Sequence, residues 1–218
     1  MSYNLVVIGS GPGGYVAAIR AAQLGMKVAV IEKSELGGIC LNWGCIPTKS
    51  LLKSAQVYDF IKHAEDYGIR IEGEVVADFE KIIERSRGVA DGMSKGIQFL
   101  LKKNKIDVIE GFGKLLKPGL IEVTNSSGER SQVDAEKIIL ATGARSRELP
   151  NLPQDGKKII GYREALVLNK NLPVWWLLGQ EQLVQSLPHF TIAWAQKLRW
   201  LNLCQRLYPM KMLRFQKL

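Results

Sequence analysis

In the strand candidate YNLVVIG at 3–9, residues 5–8 form an unbroken apolar run that ends on glycine, the pattern of a strand buried on both faces. The turn SGPGG follows, then YVAAIRAAQLG with apolar residues at helical spacing, then a second apolar run, KVAVIE. Strand, turn, helix and strand fit within about 30 residues, the size of a βαβ unit. Further on, a helix is expected to begin near Cys45 and run through KSLLKSAQVYDFIKHA, and a longer one to fill 78–104. Short strands are expected at DVIEGFG and LIEVTN, with NSSGE as a hairpin turn, and KIILATGA reads as a buried strand ending in a glycine turn.

The glycine turn carries the first chemistry. Gly9, Gly11 and Gly14 stand in G-x-G-x-x-G spacing between a strand and a helix. The first permits the tight turn, the second lets a pyrophosphate approach the backbone, and the third lets helix and strand pack closely. Glu32 closes the second strand, where a carboxylate would bind a ribose diol. Taken alone, the turn and a surface glutamate could be structural; strand, helix, second strand and acid together favour a dinucleotide site. The fingerprint does not separate FAD from NAD.

The second candidate is GGICLNWGCIPTKS at 37–50, with Cys40 and Cys45. Zinc would need further ligands, and only Cys204, His63 and His189 remain, none at ligand spacing. A staple closing so short a loop would constrain little of the unfolded chain. Two inert buried cysteines are the plain alternative. A redox pair suits the surroundings best: residues five apart on a regular helix lie too far apart to bridge, so the pair has to straddle an irregular helix start, which Gly44 and Pro47 supply. A helix N-terminus and Lys49 would both favour thiolates.

Composition is that of a globular protein, 46% hydrophobic and 23% charged, with no apolar run of membrane-spanning length. A strand starting at residue 3 leaves no room for a leader peptide, and three cysteines do not make a disulfide scaffold, so a cytoplasmic setting is expected. Net charge is +9, yet six Lys/Arg against one acid lie beyond residue 172, leaving a body of only +4. Nucleic acid is therefore not an expected partner.

Residues 37–52 closely resemble the G-G-x-C-x-N-x-G-C-x-P-x-K segment of the flavoprotein disulfide reductases. Within them, the match over 3–168 is most like the dihydrolipoamide dehydrogenases. IILATGARSRELP resembles that family's second FAD motif, and IIGYREAL the segment leading out of its FAD domain. The resemblance implies an α/β fold: a Rossmann-like FAD-binding domain with a central parallel sheet and a small antiparallel β-meander. It implies FAD held at Gly9, Gly11, Gly14 and Glu32, with Lys49 beside the flavin ring and backbone contacts from Gly113, Thr142 and Gly143. Cys45 would face the flavin and Cys40 would be the interchange thiol. Electrons would pass from dihydrolipoamide through the Cys40–Cys45 disulfide and FAD to NAD+. The implied partners are the lipoyl group of 2-oxoacid dehydrogenase complexes or of the glycine cleavage system, and a second copy of the chain.

Residues 1–172 are taken as the FAD domain cut at the start of an NAD domain, and the resemblance does not extend into 173–218. Twenty of 21 glycines precede that boundary, and four of five tryptophans follow it. The tail is expected to be irregular or helical. One reading makes it a basic amphipathic segment for a membrane or partner. The favoured reading is that it is translated out of frame from about Pro173, because the single tryptophan codon forces Val and Gly in the neighbouring frame at informative places. The family's NAD site, its His–Glu base and its dimer interface would then be missing, and the polypeptide alone would be inactive.

Overall fold

The computed structural model describes residues 2–146, 150 and 153–168, together with the backbone course of Val174–Leu178 and Lys197–Leu201. The first apolar run is strand β1 (Ser2–Ile8), the amphipathic stretch after the turn is helix α1 (Pro12–Gln23), and the second run is β2 (Val28–Glu32). β1 and β2 pair in parallel, from Leu5 opposite Val28 to Ile8 opposite Ile31. Helix α2 (Gly38–Trp43) and helix α3 (Cys45–Lys62) follow, then a 3-10 turn at Ala64–Tyr67. The long helix α4 (Phe79–Lys103) starts where Asp78 accepts a hydrogen bond from the Lys81 amide at 3.1 Å, a side-chain N-cap.

Strand β3 (Asp107–Glu110) joins β2 in parallel. Strands β4 (Phe112–Lys117), β5 (Leu120–Thr124) and β6 (Arg130–Leu140) form an antiparallel meander, and a short helix α5 (Tyr162–Leu166) comes later. The sheet order is β3-β2-β1-β6-β5-β4. β6 serves two partners: its start pairs with β5, and from Asp134 onward it runs parallel to β1. Four parallel strands thus form the core of the sheet, and the meander hangs from the long strand.

Period-2 alternation sends the two sides of β1 to different layers. Leu5 and Val7, with Val28 and Val30, pack against Ala18 and Ala21 of α1 and Ile97 and Leu101 of α4. Val6 and Ile8, with Ala29 and Ile31, pack against Ile121, Val123, Val133 and Ala135 of the meander. Both faces of β1 and β2 are therefore covered, which is why their sequences read as continuous apolar runs. The six-stranded, mainly parallel α/β sheet is the fold expected.

Two expectations change. KIILATGA was expected as a buried strand, but Ile139 and Leu140 are 37% and 63% exposed. The helices sit over β1 and β2, and at the end of β6 Ile138 packs partly against the meander layer. The tail, expected to be irregular or helical, instead contains strands β7 (Val174–Leu178) and β8 (Lys197–Leu201), paired in parallel.

Truncating Leu101 or Ile121 to alanine, each fully buried, is expected to cost about 2–5 kcal/mol per site. Leu24→Ala, at a residue 62% exposed, should stay within about 0.5 kcal/mol. Urea midpoints read by circular dichroism check the ranking.

Candidate functional site: a cavity at the glycine turn with Cys40 on its wall

The glycine turn is locked by contact. Gly9 has φ of +101°, and a Cβ there would lie 2.2 Å from the Ala141 carbonyl oxygen. A Cβ on Gly14 would lie 1.9 Å from the Gly9 oxygen. The ends of β1 and β6 and the first turn of α1 thus meet backbone to backbone. α1 begins with Gly11 in an extended conformation and Pro12 inside the helix; no side chain caps it, and no acid sits in its first turn. Its free amide groups and positive dipole end are left for an anion.

A cavity of about 850 Å³ opens from this turn. It runs from Gly9 and Gly11 past Glu32, Gly113 and the Thr142–Gly143 pair to Cys40. Gly113 is needed for packing: a Cβ there would press at 3.2 Å on both Ile8 and Ile31. Gly14 lies beneath the turn and acts through that close approach. The structure therefore brings together most of the residues picked from sequence. Cys45 and Lys49 are the exceptions, standing exposed on the first turn of α3 and outside the cavity lining.

Glu32 is more heavily engaged than its motif position discloses. One carboxylate oxygen accepts from the Ser10 amide at 2.8 Å and the Ser10 hydroxyl at 2.7 Å. The other accepts from the Lys33 amide at 2.8 Å and the Ser34 amide at 3.1 Å. A ribose diol reaching Glu32 has to share these oxygens or displace the Ser10 hydroxyl.

The cysteines straddle an irregular helix start, as the spacing required. α2 ends at Trp43 and α3 begins at Cys45, leaving only Gly44 between them. A Cβ at Gly44 would lie 2.9 Å from the Ile39 oxygen, so no larger residue fits. Cys40 and Cys45 are both free thiols, Cys40 half-buried and Cys45 exposed. The expectation of favoured thiolates needs correcting for Cys40. Burial pushes its thiol above the ordinary range, the neighbouring Cys45 side chain pushes it further, and the Cys45 backbone and Lys49 pull only partly back. Cys40, and not Cys45, is among the residues that line the cavity.

Sequence reasoning missed the residues that hold this junction. Arg87 of α4 donates to the Asn42 carbonyl at 2.6 Å, and its guanidinium lies 4.2 Å from the Trp43 ring centre. Arg163 of α5 lies 4.9 Å from the same ring, and Trp43 Nε1 donates to Glu35 at 3.2 Å. Asn42 is buried and donates its side-chain amide to the carbonyls of Leu36 and Gly38. Arg85 donates to the Ser50 hydroxyl at 2.8 Å, tying α3 to α4 as well. Gly38 was another omission: a Cβ there would come within 2.6 Å of the Gly11 Cα, and its φ is +68°. The doubled glycine at 37–38 was the available signal; the arginines gave none.

An FAD-sized ligand fits this donor set. The uncapped α1 start suits a pyrophosphate, Glu32 marks a ribose end, and the cavity continues to a cysteine. One buried polar atom, Thr48 Oγ1 on the dithiol helix, has no hydrogen-bond partner in the protein. No group of three or more metal-ligating side chains occurs among the described residues.

Such a fold, with Cys40 of a closely spaced cysteine pair on the wall of the cavity that opens from the glycine turn, points to a nucleotide-dependent redox class. The family model for pyridine nucleotide-disulphide oxidoreductases matches residues 3–172, and the chain belongs to that family. Among similar proteins, the dihydrolipoyl dehydrogenase of Rhizobium etli is 52% identical over 180 residues, covering 76% of this chain and 37% of that protein. That of Chlorobaculum tepidum is 42% identical over 207 residues, covering 95% and 44%. The crystal structure of LpdA from Mycobacterium tuberculosis superposes with a TM-score of 0.83 at 26% identity, over 91% of this chain and 44% of that one. The chain thus spans about two fifths of the length of the curated relatives it matches.

Alkylation by iodoacetamide should label the exposed Cys45 before the half-buried Cys40, whose thiol is raised above its ordinary range. Cys45→Ala removes the neighbour's side chain that raises Cys40, so the Cys40 profile should move to lower pH. Mass spectrometry of labelled peptides across pH gives both curves.

Proposed function

We propose that this chain carries the FAD-binding and dithiol part of an oxidoreductase acting on dihydrolipoamide with NAD+ as acceptor. The observation that carries the reading is the Cys40–Cys45 pair straddling Gly44, with Cys40 on the wall of the cavity that opens from the Gly9 turn. In the substrate half-reaction a thiolate of dihydrolipoamide attacks one sulfur of the Cys40–Cys45 disulfide, forming a mixed disulfide and releasing the other sulfur as a thiolate. The second substrate thiol then displaces the enzyme sulfur. Lipoamide leaves oxidised, the cysteines are left as a dithiol, and two electrons and two protons have moved. FAD, when bound, supplies the route by which those two electrons leave the dithiol and reach NAD+.

Each protein group has a task within that scheme. The α1 start and the glycine turn bind the pyrophosphate, Glu32 orients the ribose, and Gly113 and Thr142–Gly143 line the path between them. Gly44 keeps the two sulfurs close enough to exchange. Lys49, which lowers the charging cost at Cys40, favours the thiolate that exchange requires. By resemblance, Cys45 faces the flavin and Cys40 meets substrate. Residues 1–172 form this unit, and the polypeptide by itself gives no lipoamide-to-NAD+ turnover. The donor is the lipoyl group of a 2-oxoacid dehydrogenase complex or of the glycine cleavage system. No helix among the described residues is long and apolar enough to cross a membrane.

Titrating the chain with FAD and then with dithionite tests the reading. Bound flavin with a long-wavelength charge-transfer band, lost in Cys45→Ser and kept in Cys40→Ser, is the expected result. Loss of the band only in Cys40→Ser would exchange the two roles, and absence of flavin binding at saturating FAD would overturn the proposal.

A further inference from the structure

Helix α4 grips α2 at both ends. Ser94 donates its hydroxyl to the Leu36 carbonyl at 2.9 Å, just ahead of α2, and Arg87 donates to the Asn42 carbonyl at 2.6 Å, at its end. The two donors stand seven residues apart on α4, two turns along one face. α2 carries Cys40 and stops at Trp43, with only Gly44 before Cys45. A Cβ on Gly44 would lie 3.1 Å from the Cys40 Cα, so the break folds directly against the first cysteine. On the far side of the break, Arg85 donates to the Ser50 hydroxyl and holds α3.

Arg87 is half-buried, yet among the described residues it pairs with no carboxylate. Its charge is directed instead at the Asn42 carbonyl, one of the helix-end carbonyls that a helix leaves unpaired, and at the Trp43 ring 4.2 Å away. A second guanidinium, that of Arg163 on α5, lies 4.9 Å from the same ring, and the indole nitrogen donates to Glu35. The buried Asn42 side chain ties back to the Leu36 and Gly38 carbonyls, so α2 is braced within itself. None of these groups takes part in the exchange chemistry, and all of them bear on where α2 ends.

We propose that Arg87, acting through Trp43 and the Asn42 carbonyl, is a positioning residue for the dithiol: it holds the end of α2 so that Cys40 stays within exchange distance of Cys45. What it controls is the effective concentration of one sulfur at the other. Oxidation of the pair by a low-molecular-weight disulfide takes two steps. One cysteine thiolate attacks the disulfide, forming a mixed disulfide and releasing a first thiolate. The second cysteine then displaces the other, so two small thiols leave with the two cysteine protons and the pair is left as a disulfide. Only the second step depends on how α2 is held against α3. This role rests on the reading of Cys40 and Cys45 as an exchanging pair, and it needs no flavin.

Equilibrating the full chain in glutathione buffers of graded ratio tests it. After acid quench and alkylation, trypsin releases residues 34–49 as one peptide with both cysteines and without Cys204, so mass spectrometry reads the pair alone. Arg87→Leu and Trp43→Leu are expected to lower the equilibrium constant for closing the pair about tenfold, or about 30 mV, the scale of one charge-assisted hydrogen bond. Arg87→Lys keeps the charge but loses the planar fork, and should recover part of the constant. Ile97→Val trims a buried side chain on the same helix, and should lower the urea midpoint while leaving the pair at the wild-type constant. Equal constants in wild type and both leucine variants, or a shift of the same size in Ile97→Val, would overturn the role of Arg87 and leave the exchanging pair standing. A wild-type pair that forms no disulfide in any buffer would overturn both.

Discussion

The close approach of three backbone segments governs this molecule. Where Gly9, Gly14 and Ala141 meet, even one Cβ would overlap a carbonyl oxygen. The same contact does two jobs. It closes α1 onto the sheet so that Ala18 and Ala21 reach Val7 and Val30, and it brings the uncapped helix start to the mouth of the cavity. Gly9 also donates to the Ile31 carbonyl at 2.8 Å, and Ala141 to that of Ile8 at 2.8 Å, so the strand ends are fixed together. Packing and anion binding therefore share one constraint, and a side chain at Gly9 would damage both.

The dithiol depends on a second close approach, built on the first. Gly38 packs on Gly11, so the helix carrying Cys40 rests on the phosphate turn itself. From there the chain has one residue, Gly44, in which to change direction before Cys45. α4 completes the arrangement from outside through Arg87 on Asn42 and Trp43, and Arg85 on Ser50. Contacts of charged groups to backbone carbonyls and aromatic faces are worth more than exposed ion pairs. Among the described residues, the Asp78–Lys81 and Asp59–His63 pairs lie at exposed side chains. Position of the sulfurs relative to the cavity is thus set by glycine packing first and by arginine anchoring second.

How much of this could be read from the chain follows from which interactions are local. The βαβ unit, the Asp78 start of α4 and the helix break between the cysteines are written in short windows, through apolar period, capping and glycine placement. The Arg87–Trp43–Arg163 stack was illegible because its members lie far apart in sequence and an arginine on a helix face looks solvated until its neighbour is known. Glu32 was found, but the four hydrogen bonds already on it come from a serine inside the glycine turn and from the next two amides. The raised Cys40 thiol was misjudged for a similar reason: helix dipole and lysine are visible in sequence, whereas burial is not. At β6, local apolar character promised burial, and the layers above the sheet do not extend that far.

The central claim is that one continuous cavity, from the glycine turn to Cys40, takes FAD. Hydrogen–deuterium exchange of the chain with and without FAD tests it most directly. The account predicts slowed exchange confined to the segments that wall the cavity, around 9–15, 32–40, 111–113 and 141–146, with the middle of α4 unchanged. Slowing elsewhere with these segments unaffected, or no slowing at saturating FAD, would contradict it.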